Sequence, residues 1–537
     1  MQKESNTLYT RVPYFPLVIF VMFLFSGSIK AQHQNLPLNY NLAQQLERNS
    51  LKGNDSNFVF HSSVKPAIQS FTRPSLYNPI YNDSGKYYYT FTEKLYKKNL
   101  LSIKEKDLKL VADPLFNIAY GKTTTNDTVL KISNNIRGVR VAGDITSKFS
   151  FETRVYEAQY FYPIYLDSIA DAKNTAFGFG RSKLFKDRGH DVAMSMGYFS
   201  YTPIKALNIQ FGQGKSFIGN GYRSLLLSDN SSPAPYLKLT TQLFNNRLLY
   251  QNINSWMQTL TRLPATHSAE ALFKRKGSSF RYLSFAANKN LQIGLFEGVI
   301  YKNYVDSIGQ VPLATSFYIP IIGVATAIDG LKGENNSLLG LNVNYNLMQR
   351  FNIYGQYIFD DANKKGFQIG AKWFDIGGLK KSWIQLEYNN VEAFTYSTSA
   401  NNIIQNYVHS NLELAHPLGA NFSEVILLAH AEHKRWLATG RMIFYTIKSN
   451  NTSGLGSNPL LADDLITVGN KYTSTVSFSG LEVSYLFNRK TNMQLFGSYY
   501  YRNEIIKNQL LGSSLFKFES FWQIGFRTNL INLYHDI

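Results

Sequence analysis

The stretch Tyr407-Val-His-Ser-Asn-Leu-Glu-Leu-Ala-His-Pro-Leu-Gly-Ala-Asn-Phe-Ser-Glu424 gathers two imidazoles and two carboxylates in one short segment. His409, Glu413, His416 and Glu424 have the residue types of a general acid/base set. The same groups could instead contact a polar ligand, or hydrogen-bond to one another as a structural cluster. No serine stands in a nucleophile context, the chain holds no cysteine, and Pro417–Gly419 reads as a turn. Catalysis is therefore not expected, and neither is a cofactor. Gly212-x-Gly214 and Gly219-x-Gly221 follow a strand but open no amphipathic helix, so they lack the context of a phosphate loop. Glycines there kink the strand or let the chain pack against a wall. His430 and Glu432 fall on one face of a strand and His433 on the other, which does not make a shared metal site.

The elements that must position these groups are strands. Leu339-Gly-Leu-Asn-Val-Asn-Tyr-Asn-Leu347 puts Leu339, Leu341, Val343, Tyr345 and Leu347 on one face and Gly340 with three asparagines on the other. A turn at Met348-Gln-Arg350 returns it as Phe351–Phe359. The same alternation recurs at 192–198, 207–213, 367–373, 384–389, 493–495 and 522–527. A soluble sandwich would also alternate. Here the polar face is Gln, Asn, Gly and Ser rather than Lys and Glu, which suits a lumen. Tyr499–Tyr501, Trp373, Trp383 and Trp522 gather near strand ends, where interfacial girdles sit.

Composition agrees. Only 17% of the 537 residues are charged against 15% aromatic, and 55 Lys+Arg over 36 Asp+Glu give +19. That excludes a disordered chain, and zero cysteine excludes disulfide scaffolds and thiol chemistry. Lys3 and Arg11 precede the apolar run Leu17–Phe25, and small residues follow, so residues 1–31 read as a secretory signal cleaved near Ala31-Gln32. After it no window is long and apolar enough for a membrane helix. The expected fold is all-β: a transmembrane antiparallel β-barrel of roughly 16–18 strands in the outer membrane, at about 25 to 30 residues per strand and connection. Residues 32–106 alternate poorly, and 42–51 have helical spacing, so they are expected to form a periplasmic or plug-like lead-in to a barrel spanning 107–537. Asp167–Arg188, Tyr304–Asn336, Phe394–Ile404 and Lys448–Thr473 read as external loops.

The segment Leu414–Phe422, with Glu424 and Arg435-Trp436, resembles the outer-membrane capsule-assembly (Wzi-type) barrel family, and particularly its gliding-motility RemB-like members in Bacteroidota. Asn135-x-Arg-Gly-Val-Arg140, Gly219–Asn230, Tyr282–Phe285, Gly294–Gly298, Leu338–Leu341, Tyr354–Gln356 and Glu387-Tyr-Asn389 carry the same resemblance. It implies a barrel near 18 strands that is not an enzyme and that binds or organises surface polysaccharide or supports gliding.

Charge fits that implication, because acidic capsules and lipopolysaccharide cores are anionic and a +19 chain attracts them through a field that salt weakens. Arg137, Arg140, Lys215, Arg223 and Lys372 are candidate polyanion or sugar contacts, with Tyr222 and Trp436 as stacking surfaces. Glu387, Asn389, His409, His416, Asn421, Glu424 and Arg435 complete the candidate glycan or lumen set. The alternative for each is a girdle residue, a lumenal charge pair or a solvated side chain. Expected partners are outer-membrane lipid and lipopolysaccharide, surface polysaccharide, and other motility or envelope proteins, with no nucleic acid. The competing function is a channel whose Gln/Asn-lined bore passes a small polar solute.

Overall fold

The computed structural model describes residues 33–53, 58–264, 272–331, 333–361, 364–464, 471–528 and 532–537; the segment read as a signal lies outside them. Eighteen strands close into an antiparallel ring. In chain order they are β1 (Leu108–Thr125), β2 (Val129–Ile145), β3 (Phe149–Phe161), β4 (Gly189–Ile204), β5 (Leu207–Gly214) and β6 (Ala234–Leu243). The ring continues through β7 (Leu248–Arg262), β8 (Phe273–Ala286), β9 (Leu291–Lys302), β10 (Asn336–Leu347), β11 (Phe351–Asp361) and β12 (Lys364–Phe374). It ends with β13 (Trp383–Val391), β14 (Phe422–His433), β15 (Trp436–Ser449), β16 (Tyr472–Asn488), β17 (Met493–Asn508) and β18 (Ser513–Arg527). Each strand pairs with the next, and β18 closes on β1 in the register Arg527↔Asn117 to Glu519↔Thr125. Closure leaves no sheet edge around the ring, the condition for strands to cross a bilayer.

The connections at 146–148, 205–206, 244–247, 348–350, 434–435 and 489–492 are tight and all lie at one end. Thr146, Asn245, Asn246, Met348, Lys434 and Asn492 adopt positive φ there, which the tight turns demand. The long connections 162–188, 215–233, 303–335, 392–421 and 450–471 all lie at the other end, which in barrels of this class faces outward. The four loops expected from the sequence fall on that end.

Side chains alternate across the wall. Ile118, Val155, Phe211, Leu295, Leu341, Ile369, Met442, Leu481 and Ile524 point out and are exposed, an apolar band suited to lipid. Asn208, Gln210, Asn342, Asn344, Gln356, Gln368 and Gln385 point in and are buried. Two expectations fail. Val192, Met194 and Tyr198 of β4 are buried inside rather than facing lipid: Phe177 and Phe179 of loop 162–188 join Val192 and Met194 in one cluster in the bore, and the Tyr198 hydroxyl accepts from the Asn35 N–H at 2.8 Å. Trp383 is no girdle residue: it turns inward, edge-on to Tyr40 and stacked on His430. Trp373, Trp522, Tyr499 and Tyr501 do face outward.

The bore is filled from both ends. Helix α1 (Tyr40–Lys52), capped by the Asn39 side chain accepting from the Leu42 N–H, lies inside the short-turn half. Glu47 pairs with Lys372 at 2.7 Å, and Arg48 pairs with Asp375 at 2.7 Å. Helix α2 (Pro74–Tyr81) packs against α1, with Leu36, Leu42, Leu46, Leu76 and Tyr77 as their shared core. Val64-Lys65 pairs as a two-residue strand with Phe217-Ile218 of loop 215–233, which descends from the opposite end. Helix α3 (Thr90–Tyr96) sits at the short-turn end, where Asn488 donates to the carbonyls of Lys94 and Lys98.

Candidate functional site

The buried centre of the bore is built around Glu387, one of the inward positions of β13. Its carboxylate accepts from the backbone N–H of Tyr222 (2.7 Å) and of Arg223 (3.2 Å). It also accepts from Tyr354 Oη (2.7 Å), Asn389 Nδ2 (3.0 Å) and Gln385 Nε2 (3.2 Å). Loop 215–233 can lie this close because Gly221 lacks a side chain: a Cβ there would sit 2.6 Å from the Glu387 carboxylate. Gln356 and Gln368 hold the same loop through the Leu225 N–H and the Arg223 carbonyl. Tyr396 and Tyr407 donate to the carbonyls of Leu225 and Leu226.

Arg223 then reaches Asp536, in the stretch 532–537 that folds back into the bore after β18. Its Nη2 donates to the Asp536 carboxylate at 3.0 Å and to its backbone carbonyl at 2.8 Å, with the guanidinium over the rings of Tyr222 and Tyr534. Arg441 (3.1 Å) and Tyr222 Oη (2.6 Å) reach the other carboxylate oxygen. Asp229 accepts from Tyr534 Oη and Asn532 Nδ2. Glu424 accepts from His416 Nε2 at 2.7 Å and from Asn389 Nδ2 at 2.9 Å. Each of these carboxylates is already engaged by fixed donors and is buried, so the cluster ties loops to wall.

Of the candidates read from sequence, Tyr222, Arg223, Glu387, Asn389, His416 and Glu424 meet in this cluster. Lys215 touches its margin, donating to the Asp229 carbonyl at 3.0 Å, and burial pulls its ammonium down to about 8. The others lie elsewhere. Arg137 points out of the barrel opposite Glu157, both exposed, so it does not face the lumen. Trp436 is exposed on the outer wall edge-on to Tyr485, a girdle position rather than a stacking platform in the bore. Arg140 is inside but closed on Glu152 at 2.7 Å. Lys372 is held by Glu47 of α1. Arg435 pairs with Asp83 and Tyr87 at the short-turn end. Asn421, with positive φ, donates to the Lys448 carbonyl where β14 begins.

His409 leads to the second feature, a cavity of about 950 Å³ at the long-loop end. Burial drives the His409 imidazole down to about 4, so it is neutral there. Around it stand Arg181, Arg275 and Lys276, the aromatic side chains of Trp256 and Tyr318, and the amides of Gln213, Gln258, Asn303 and Gln310. Among the described residues no carboxylate lines this cavity. Cations, planar amides and aromatic faces without opposing acids make a site for an anionic, hydroxyl-rich ligand. The sequence reading missed all of these but His409. The run Phe273-Lys-Arg-Lys276 at the head of β8 was the available signal.

No protein-family model matches the chain, and no curated protein matches it. Among solved structures, Wzi of Escherichia coli, described as an outer membrane protein involved in group 1 capsule assembly and a carbohydrate-binding β-barrel, superposes with a TM-score of 0.55. The match has 13% identity and covers 91% of this chain and 98% of that one. OprD of Pseudomonas aeruginosa gives 0.40 at 10% identity over 78% and 95%, and OpdK of the same organism 0.43 at 9% over 79% and 98%. At such identities the likeness to Wzi is one of fold, that of an outer-membrane β-barrel.

Proposed function

We propose that this chain is a non-enzymatic barrel of the bacterial outer membrane that binds and organises acidic surface polysaccharide. The observation that carries this reading is the cation- and amide-lined cavity at the long-loop end, which among the described residues no carboxylate lines. The description of Wzi as carbohydrate-binding and involved in capsule assembly points the same way. In this reading residues 1–31 export the chain, 32–106 serve as a plug, and 107–537 form the barrel. The closer likeness to gliding-motility members belongs to the proposal too, and a spreading assay on a deletion strain tests it. Deletion is expected to reduce the polysaccharide retained on the cell while solute permeability stays normal. Unchanged retention would contradict the reading.

The channel alternative rests on a chamber of about 250 Å³ in the short-turn half, between α1, Trp383, Arg441, Glu482 and Arg527. Solute flow through it would require displacing loop 215–233 and α1 together. Steady conductance by the purified chain in planar bilayers would favour this alternative.

A further inference from the structure

The wall of the barrel is uneven. Strands β5 and β6 end at Gly214 and begin at Ala234, whereas β4 runs back to Gly189 and β7 runs on to Arg262. Pairing of β6 with β7 stops at Tyr236↔Ser255, and pairing of β5 with β4 stops at Gln213↔Gly197. The result is a notch at the long-loop end, between β4 around 192–196 and β7 from 256 onward. One side chain and the backbone of loop 392–421 close part of it: Gln213 Nε2 donates to the Ser195 carbonyl at 3.0 Å, and the Ser410 backbone N–H donates to the Gln258 carbonyl at 3.0 Å.

The cavity occupies this notch. Its lining mixes the two faces of the wall: Ser195, Trp256 and Arg275 point outward, whereas Met194, Met257 and Lys276 point inward. Its outer flank is loop 303–335, which is folded against the outside of the barrel. There Phe317 and Ala325 cover Val299 and Tyr301. The pair Arg281–Glu297 (3.0 Å), on the outward face of β8 and β9, is 0% exposed beneath this lobe. Arg281 donates to the Ser316 and Ile319 carbonyls, and Glu297 accepts from the Gly323 and Thr326 N–H groups, so the lobe is fixed in place.

Below the notch, two residues along β5 from Gln213 toward the short-turn end, Phe199, Phe211 and Leu237 stand side by side on the lipid face. Phe199 is 70% and Phe211 61% exposed. A cationic, hydroxyl-binding cavity that opens sideways immediately above an apolar row matches a molecule with both chemistries: an anionic sugar head joined to acyl chains.

We propose that the notch receives the anionic glycan head of an outer-leaflet glycolipid entering laterally from the membrane, with its acyl chains along Phe199, Phe211 and Leu237. Arg181 and Arg275 meet phosphate or carboxylate groups, and Trp256 and Tyr318 face sugar rings. This rests on the polysaccharide reading above and adds that the bound glycan is membrane-anchored.

The test uses the full chain in detergent with three probes: lipopolysaccharide, its acid-released soluble core oligosaccharide, and phosphatidylglycerol. Retention is read by native mass spectrometry. The expected result is stoichiometric lipopolysaccharide, with core oligosaccharide and phosphatidylglycerol each held at least tenfold more weakly. The variant Arg181→Glu with Arg275→Glu should lose lipopolysaccharide at least tenfold while keeping the heat-modifiable gel mobility of a folded barrel. If that variant does not fold, a salt titration of the unmodified chain replaces it, and binding should weaken steadily as ionic strength rises. Equal affinity for soluble oligosaccharide and lipopolysaccharide would overturn the lateral, membrane-anchored assignment and leave polysaccharide binding standing. Equal retention of phosphatidylglycerol would also overturn it, as charge attraction without sugar recognition. Binding of none of the probes would overturn both.

Discussion

Asp536 stands between two guanidinium groups, Arg223 at 3.0 Å and Arg441 at 3.1 Å, and receives the Tyr222 hydroxyl as well. Burial alone would push its carboxyl up, but the two cations outweigh burial and hold it at about 2, below its ordinary 3.8. A carboxyl whose pKa falls on folding stabilises the fold fully above its unfolded value, and that contribution disappears as the pH drops through the folded value. The unfolding temperature of the wild type should therefore fall between about pH 4 and about pH 2, and Asp536→Ala should lack that component. At neutral pH the same substitution strands two buried guanidiniums and should cost about 3–5 kcal/mol, read as an earlier heat-modifiability transition. Gly221→Ala should displace loop 215–233 from Glu387, seen as new protease cleavage within 215–233 from outside the cell. Glu387, Asn389, His416 and Glu424 stood out in the sequence as polar residues in otherwise alternating strands or in one dense segment. Their common partners did not, because Asp536 and Tyr534 reach the cluster from the far end of the chain, and spacing says nothing about a fold-back of that length.

Among the elements, α1 and loop 303–335 occupy opposite sides of the wall. Helix α1 is held inside by Glu47–Lys372 and by Asp375, which pairs with Arg48 and Lys52. Glu47→Lys sets like charges face to face, so segment 33–52 should become cleavable by protease added from the periplasmic side while the barrel stays intact. Outside, Glu297→Ala would leave Arg281 without its carboxylate, at a cost of about 3–5 kcal/mol to the lobe's docked state. Limited proteolysis of intact cells should then cut within 303–335. Strand alternation made the barrel legible, and Leu339–Leu347 with Phe351–Phe359 face as their pattern requires. Alternation identifies two faces without saying which meets lipid. Where loop 162–188 brings Phe177 and Phe179 into the bore, the apolar face of β4 turns inward. Where loop 303–335 covers the exterior, a charged pair can face out. Neither loop placement is encoded in the strand that it covers.

At the scale of the whole molecule, eighteen strands would enclose an open aqueous lumen if nothing filled it. Here α1, loop 215–233, loop 392–421 and the stretch 532–537 fill it, and the large remaining cavity lies at the wall's notch rather than along the axis. A strand number of 16–18 and the placement of four of the five long loops at one end follow from the length and period of the sequence; loop 215–233 does not. The notch does not, since it arises from two neighbouring strands being shorter than their flanks. A filled bore beside a cavity that, among the described residues, no carboxylate lines is what the proposed binding role requires. Binding of a fluorescent acidic polysaccharide to the purified chain, measured beside single-channel recordings of the same preparation, tests that claim most directly. The account predicts saturable binding that weakens with salt and with Arg181→Glu plus Arg275→Glu, and no steady conductance. Steady conductance without polysaccharide binding would contradict it.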